Sequence, residues 1–165
     1  MMKSLRVVDI KDGTTVDGPG FRTSIYFGGC EHHCVGCHNQ STWPLDSGEL
    51  MTISELIGIV KGNDFNVTFS GGDPLLQIDT LVELAAEIKR LGKTIWCYTG
   101  YTFESIVNSS RLSPILEYVD VIVDGRFEIH NRDTKLLFRG SGNQRLIDVG
   151  HWRATGETIL WQQDF

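Results

Sequence analysis

Three cysteines, Cys30, Cys34 and Cys37, fall within eight residues in the stretch Gly28-Gly-Cys-Glu-His-His-Cys-Val-Gly-Cys-His-Asn-Gln40, with His32, His33 and His38 among them. Thiolates and imidazoles this dense bind metal or do redox work, and four chemistries compete for them. Cys34-Val-Gly-Cys37-His38 has the letters of a c-type haem attachment site, but such attachment follows export. Cys34-x-x-Cys37 fits a dithiol centre, yet those open a helix, and here a third cysteine stands upstream in a long loop. Three thiolates with one histidine could close a structural zinc site, although such sites draw ligand pairs from two separated segments, and no second pair exists. A cubane iron–sulfur cluster fits better. Three thiolates for four irons leave one iron open to a substrate, as catalytic zinc keeps an open position where structural zinc does not.

The remaining candidates are fewer. Cys97 lies in the apolar run Thr94-Ile-Trp-Cys-Tyr98 and is expected to be a small buried hydrophobe. His130 and His151 have no metal-binding neighbours in the sequence and are expected at the surface.

Elements that would position the cysteines follow from pattern. Arg22 to Phe27 alternates as a strand and runs directly into the cysteine segment, and residues 28–48 then show no period. Thr52-Ile-Ser-Glu55 is a capping box opening a short helix that Gly62 ends. Asn66 to Phe69 reads as a strand leading into Ser70-Gly-Gly-Asp-Pro74. A helix from about Asp79 carries Leu81, Leu84, Ala85, Ile88 and Leu91 on one stripe, with Gly92 as its stop. Thr94 to Tyr98 is the next strand, Ser113-Pro114 opens another short helix, and Val119 to Val123 and Gln144 to Val149 are the last strands. Strands alternating with helices imply an α/β fold around a mostly parallel sheet. Ligands in such folds gather beyond the carboxyl ends of the strands. The cysteine loop, Gly71-Gly72-Asp73, Thr99-Gly100 and Asp124-Gly125-Arg126 all follow strand ends and are expected on one rim.

Bulk properties narrow the class. At 165 residues and 18.5 kDa, the chain suits a single domain with a short aromatic extension from about residue 150 to 165. A net charge of −6, with 21 acids against 15 bases, argues against nucleic acid as a partner. No stretch reaches the length of a membrane span, and the N-terminus has no apolar h-region, so a cytoplasmic, reducing location is expected.

The segment Val16-Asp-Gly-Pro-Gly-Phe-Arg-Thr-Ser-Ile-Tyr-Phe-Gly-Gly-Cys30, the Cys-x-x-x-Cys-x-x-Cys spacing, Ser70-Gly-Gly-Asp-Pro-Leu75 and Phe138-Arg-Gly-Ser-Gly-Asn-Gln-Arg145 occur in that order. The combination resembles the glycyl-radical-enzyme activases of the radical S-adenosylmethionine superfamily, and most closely those acting on anaerobic ribonucleoside-triphosphate reductase. The resemblance implies an open, partial (β/α) barrel in which Cys30, Cys34 and Cys37 hold a [4Fe-4S] cluster. Its open iron would chelate S-adenosylmethionine. Gly71, Gly72 and Asp73 would hydrogen-bond the methionine ammonium, with the glycines admitting the ligand to the backbone. Gly36, Cys37 and His38 would also border the cofactor. Asp124 and Arg126 would bind it as well, unless they form only a solvated turn. One electron, from a low-potential donor such as a flavodoxin, would release a 5′-deoxyadenosyl radical that takes hydrogen from a glycine of the reductase. Asp17-Gly-Pro-Gly20 would lie near that glycine.

Two positions depart from the superfamily pattern: Asp73 is shorter than the usual glutamate, and Gly36 stands where an aromatic is common. The rival readings are an activase of another glycyl-radical enzyme, a small radical enzyme acting on a peptide or nucleoside precursor, and a zinc-stapled interaction domain. The aromatic tail, with Trp152, Trp161 and Phe165, is expected to cover an edge of the incomplete sheet, the alternative being that it docks the reductase.

Overall fold

The computed structural model describes residues 3–37 and 40–162. His38 and Phe165 therefore lie outside the described residues.

Seven strands form one open sheet in the order β3-β1-β2-β4-β5-β6-β7. They are β1 (Ser4–Thr14), β2 (Arg22–Phe27), β3 (Glu49–Thr52), β4 (Asn66–Gly71), β5 (Ile95–Tyr98), β6 (Val121–Asp124) and β7 (Arg145–Asp148). The four central strands β2, β4, β5 and β6 run parallel, while β1 and β3 on one side and β7 on the other pair antiparallel. The helices are α1 (Ile53–Asn63), α2 (Ile78–Arg90), α3 (Phe103–Val107) and α4 (Val149–Thr155), joined by short 3₁₀ turns. α1 packs on α2, α2 on the 3₁₀ turn Ser113–Glu117, and that turn on α3 and α4. The helices thus make one continuous layer.

Strand alternation sorts side chains between two unlike faces. Ile25, Phe27, Val67, Phe69, Ile95, Cys97, Ile122 and Ile147 point into the main core beneath the helices, closed from above by Leu56, Val60, Leu81, Leu84 and Ile88. The amphipathic stripe expected on α2 supplies the last three. The opposite face carries a smaller aromatic core of Trp96, Val121 and Val123, with Tyr98, Phe138, Leu146 and Trp161 against it. Beside this core lies Arg22, only 1% exposed. Its Nε donates to the Thr68 hydroxyl at 2.8 Å and its Nη2 to the Val67 carbonyl at 2.8 Å, while the guanidinium lies 5.7 Å from the Trp96 ring centre. Burial is the main cause that pulls its pKa down to about 10.

Several elements differ from the sequence expectation, each for a local reason. β1 was not expected: its alternation breaks at a bulge between Val7 and Asp9, which leaves Val8 exposed. β3 is a four-residue strand at the sheet edge, with Glu49 and Leu50 exposed. The Thr52 cap is present, its hydroxyl accepting the Glu55 N–H at 3.1 Å. α1 passes Gly62 and stops at Asp64, which takes the left-handed conformation at φ 57°. Ser113-Pro114 opens a 3₁₀ turn and not an α-helix.

The tail begins as α4 and then doubles back. Trp152 meets Phe103 edge-on at 5.5 Å, and the Arg153 guanidinium donates to the carbonyls of Leu116 and Val119. Further on, the Asp148 N–H donates to the Ile159 carbonyl at 3.0 Å and the Trp161 N–H to the Leu146 carbonyl at 2.7 Å. The outer edge of β7 is thereby covered. Trp161 then turns under the sheet to meet Trp96 edge-on at 4.9 Å. Replacing Trp161 by alanine should cost about 2 kcal/mol, below the loss for a fully buried tryptophan because Trp161 is partly exposed. That corresponds to roughly 4–8 °C in Tm for a chain of this size. Thermal unfolding of the Trp161→Ala variant checks this; an unchanged Tm would show that the tail does not close the smaller core.

Candidate active site

The carboxyl ends of β2, β4, β5 and β6 deliver their following residues to one place. Cys30, Cys34, Cys37, Gly71, Gly72, Asp73, Thr99, Gly100, Gly125, Arg126 and Phe127 line a single cavity of about 180 Å³. The expected rim is present, and the three cysteines are part of it.

Backbone contact builds the wall nearest the cysteines. The Gly72 N–H donates to the Phe27 carbonyl and the Asp73 N–H to the Gly29 carbonyl, both at 2.8 Å. A Cβ on Gly71, whose φ is 100°, would lie 2.3 Å from the Phe27 nitrogen, and one on Gly72 would lie 2.2 Å from the Gly29 oxygen. Such approaches exclude any side chain. Both glycines also line the cavity, so the same two positions serve the approach of the two strand exits and border the space a ligand would enter.

Asp73, 3% exposed, is a buried acceptor hub. Oδ1 accepts the Leu75 N–H at 3.0 Å, and Oδ2 accepts the Gly100 N–H at 3.0 Å. The Thr99 hydroxyl lies 3.0 and 2.9 Å from the two oxygens, and His32 Nε2 lies 2.5 Å from Oδ2. A carboxylate can only accept, so Nε2 carries the hydrogen. Sequence reasoning weighed His32 only as a zinc ligand. No pattern of spacing links it to a residue 41 positions away.

The cysteine loop is held at its sulfurs as well. Burial pushes the Cys30 and Cys34 thiols up from their ordinary values. Backbone N–H groups of His32 and His33 act on Cys30 in the opposite sense, as do the Phe127 N–H and the Arg126 charge on Cys34. The Cys37 N–H donates to the Cys34 carbonyl at 3.1 Å, making a tight turn. Inside that turn Gly36 has a φ of 77°, and a Cβ there would sit 2.5 Å from Ile129 Cδ1. Ile129 occupies the space an added side chain would need. Cys97 is fully buried in the main core, away from the other three, and burial raises its thiol well above the ordinary value.

Asp124 and Arg126 part company. Arg126 lines the cavity. The Asp124 carboxylate, 1% exposed, is committed elsewhere: it accepts the Phe103 N–H at 2.8 Å, the Arg145 N–H at 3.1 Å and the Arg145 guanidinium at 2.5 Å. These contacts are all to the scaffold. Asp124 ties the start of α3 to β7.

Among the described residues, no group of three or more His, Cys, Asp or Glu side chains is gathered so as to hold a metal ion. Residues 16–147 match the family model described as a 4Fe-4S single cluster domain. The chain is 42% identical over 158 residues to the anaerobic ribonucleoside-triphosphate reductase-activating protein of Enterobacteria phage T4, covering 90% of this chain and 93% of that one. It is 37% identical over 139 residues to the protein of the same name from Vibrio cholerae, covering 78% and 88%. The protein so named from Escherichia coli K12 is 36% identical over 141 residues, covering 78% and 89%.

The chain belongs to the family of anaerobic ribonucleoside-triphosphate reductase-activating proteins. A 4Fe-4S cluster domain is therefore its family frame, and the zinc, haem and dithiol readings of the loop give way to it. In this family member the donor chemistry fits such a cluster: three thiols, each supplied by one loop, border one cavity.

Arg145 is the scaffold residue whose loss should be felt most. Its guanidinium also reaches Glu104 at 2.7 Å and holds that carboxyl below its usual range. Replacing Arg145 by methionine keeps the stem and strips the buried Asp124 of its cation, while two backbone N–H groups remain. We expect a cost of about 2–4 kcal/mol in urea unfolding. Glu104 contributes above the ordinary carboxylate pKa and loses that contribution as pH falls through its lowered value. The gap between wild type and variant should therefore narrow in acid, and a gap independent of pH would remove Glu104 from the account.

Proposed function

We propose that the chain is a radical S-adenosylmethionine enzyme that activates anaerobic ribonucleoside-triphosphate reductase by generating its glycyl radical. The observation that carries this is the meeting, in one cavity, of the three cysteines and the exits of four parallel strands. We read the open sheet as a partial (β/α) barrel of the radical S-adenosylmethionine type in a single domain, with its helix-free face as the inner one.

In this proposal Cys30, Cys34 and Cys37 hold the [4Fe-4S] cluster, each losing its proton when it ligates. The cluster they would hold would supply the single electron for reductive cleavage of S-adenosylmethionine to methionine and a 5′-deoxyadenosyl radical, the species that would take hydrogen from a glycine of the reductase. Asp73 supplies the negative charge matched to the methionine ammonium. Arg126, on the β6 side of the same cavity, supplies the positive charge matched to the carboxylate. Gly36 and Cys37 form the tight turn that borders the ligand. Gly71 and Gly72 border the cofactor beside Asp73, where the lack of side chains lets the ligand approach the backbone. The protein substrate meets an exposed lip of the molecule, where Val16 and Phe21 flank Asp17-Gly-Pro-Gly20 ahead of β2.

That lip is held from behind: the Thr68 hydroxyl donates to the Asp17 carbonyl at 2.7 Å and the Arg22 Nη1 to the Pro19 carbonyl at 3.3 Å. An external low-potential donor such as a flavodoxin, in a reducing cytoplasm, returns the electron after each turnover. No helix among the described residues is long and apolar enough to cross a membrane.

Anaerobically reconstituted protein should hold about four irons per chain, the content of a single cubane cluster. It should also cleave S-adenosylmethionine when reduced. Cys30→Ala, Cys34→Ala and Cys37→Ala should each abolish cleavage, and Cys97→Ala should leave iron content and cleavage intact. Full iron and cleavage in any of the first three variants would overturn the ligand assignment; wild type that holds iron yet never cleaves S-adenosylmethionine would overturn the function.

A further inference from the structure

The cysteine loop is tied to the rest of the molecule at its base, on its far side and between the two. Its base is held where the Gly29 N–H meets the Thr42 carbonyl at 2.6 Å and the Cys30 N–H meets the Trp43 carbonyl at 3.1 Å. Its far side is met by the Phe127 backbone at Cys34. Between these, the His32 side chain reaches across to the exits of β4 and β5.

The His32 ring is boxed in on three sides. Nε2 is at 2.5 Å from Asp73 Oδ2. Tyr101 stands edge-on with ring centres 4.8 Å apart. The third side is the Cα of Gly100: a Cβ there would come within 2.5 Å of the imidazole Cδ2. The ring is 7% exposed. Asp73 is held as firmly: the Leu75 N–H, the Gly100 N–H, the Thr99 hydroxyl and His32 all reach its carboxylate. The acid that the family motif presents to the cavity is thus positioned by the cysteine loop, and the loop by the acid.

We propose that His32 is a positioning residue: its hydrogen bond to Asp73 latches the cysteine loop to the exits of β4 and β5, setting at once where the thiols stand and how the Asp73 carboxylate is turned. The latch rests on the function proposed above for its consequence in S-adenosylmethionine binding, although its existence is a matter of the protein alone. His32 lies two residues from Cys30 and two from Cys34, so a shift of the ring displaces both sulfurs. The bond is also shielded from water, so nothing replaces it cheaply when it is lost. Groups in this supporting position around a metal site alter affinity or activity by about 10- to 100-fold when removed.

Two substitutions separate the hydrogen bond from the packing. His32→Leu keeps bulk and loses the donor. His32→Gln keeps an N–H at nearly the reach of Nε2. Three readouts on reconstituted full-length protein decide the matter: the S-adenosylmethionine dissociation constant, the EPR spectrum of the reduced cluster, and amide hydrogen exchange over residues 31–37 and at Gly100. We expect His32→Leu to weaken S-adenosylmethionine binding by about 10-fold or more, as for other such supporting groups. The same variant should shift the EPR spectrum and speed exchange in the loop, and His32→Gln should restore most of all three.

A double variant with Asp73→Asn should bind no worse than Asp73→Asn alone, because His32 acts through the Asp73 carboxylate and has nothing further to lose once that is gone. Unchanged or tighter binding with unchanged exchange in His32→Leu overturns the latch, and so does equal damage in the leucine and glutamine variants, which would assign the role to the ring's packing. Wild type that binds no S-adenosylmethionine sinks the function instead, and loop exchange in the two variants then decides the latch by itself.

Discussion

The exits of β2 and β4 touch backbone to backbone, and the site depends on that contact. Gly72 and Asp73 donate to the carbonyls of Phe27 and Gly29, across gaps that no Cβ can enter. The contact extends the parallel pairing of the two strands, which runs in register from Arg22 opposite Asn66 to Phe27 opposite Gly71. Because the pairing continues past the strand ends, the cysteine loop leaves the sheet from a fixed point. Asp73 arrives beside it with its carboxylate already turned towards Thr99 and Gly100. Any side chain at position 71 or 72 has to push the two exits apart, and the acid and the thiols would separate together.

A second constraint operates on the face without helices. A sheet face left bare to water is unstable unless something fills it. Here the filling is heterogeneous: an aromatic group around Trp96 under β5 to β7, and a buried arginine under β2 and β4. Arg22 has hydroxyl and carbonyl acceptors and the face of Trp96 for company, and no carboxylate among its hydrogen-bond partners. The arrangement leaves the charge under-compensated, which is why its pKa falls to about 10. In exchange the guanidinium holds both β4 and the loop carrying Asp17 and Pro19, so the segment leading into β2 is fixed by the same residue that fills this face of the sheet.

Much of this was legible in the sequence where local chemistry decides it. Strand ends, the Thr52 cap and the stripe on α2 depend on neighbours a few residues away, and the convergence of the rim followed from placing strands correctly. What escaped depends on partners far along the chain. β1 was hidden by a bulge that breaks its alternation, and β3 by its edge position and short length. His32 and Asp73 are 41 residues apart, and the Phe127 N–H acts on Cys34 through a backbone group that every residue but proline possesses. The identity of Asp124 pointed equally to a ligand contact and to a solvated turn, and neither reading foresaw its buried bond to Arg145 across the antiparallel β6–β7 pair.

The clasp of residues 125–129 over the cysteine turn also has a consequence for order in time. In chain order Cys30, Cys34 and Cys37 come well before Arg126, Phe127 and Gln144, which line the same cavity. During synthesis the thiols therefore stand on an open loop beside an unfinished sheet until β6 and β7 can pair. Through that interval a nascent chain displays three sulfurs without the wall that later encloses them.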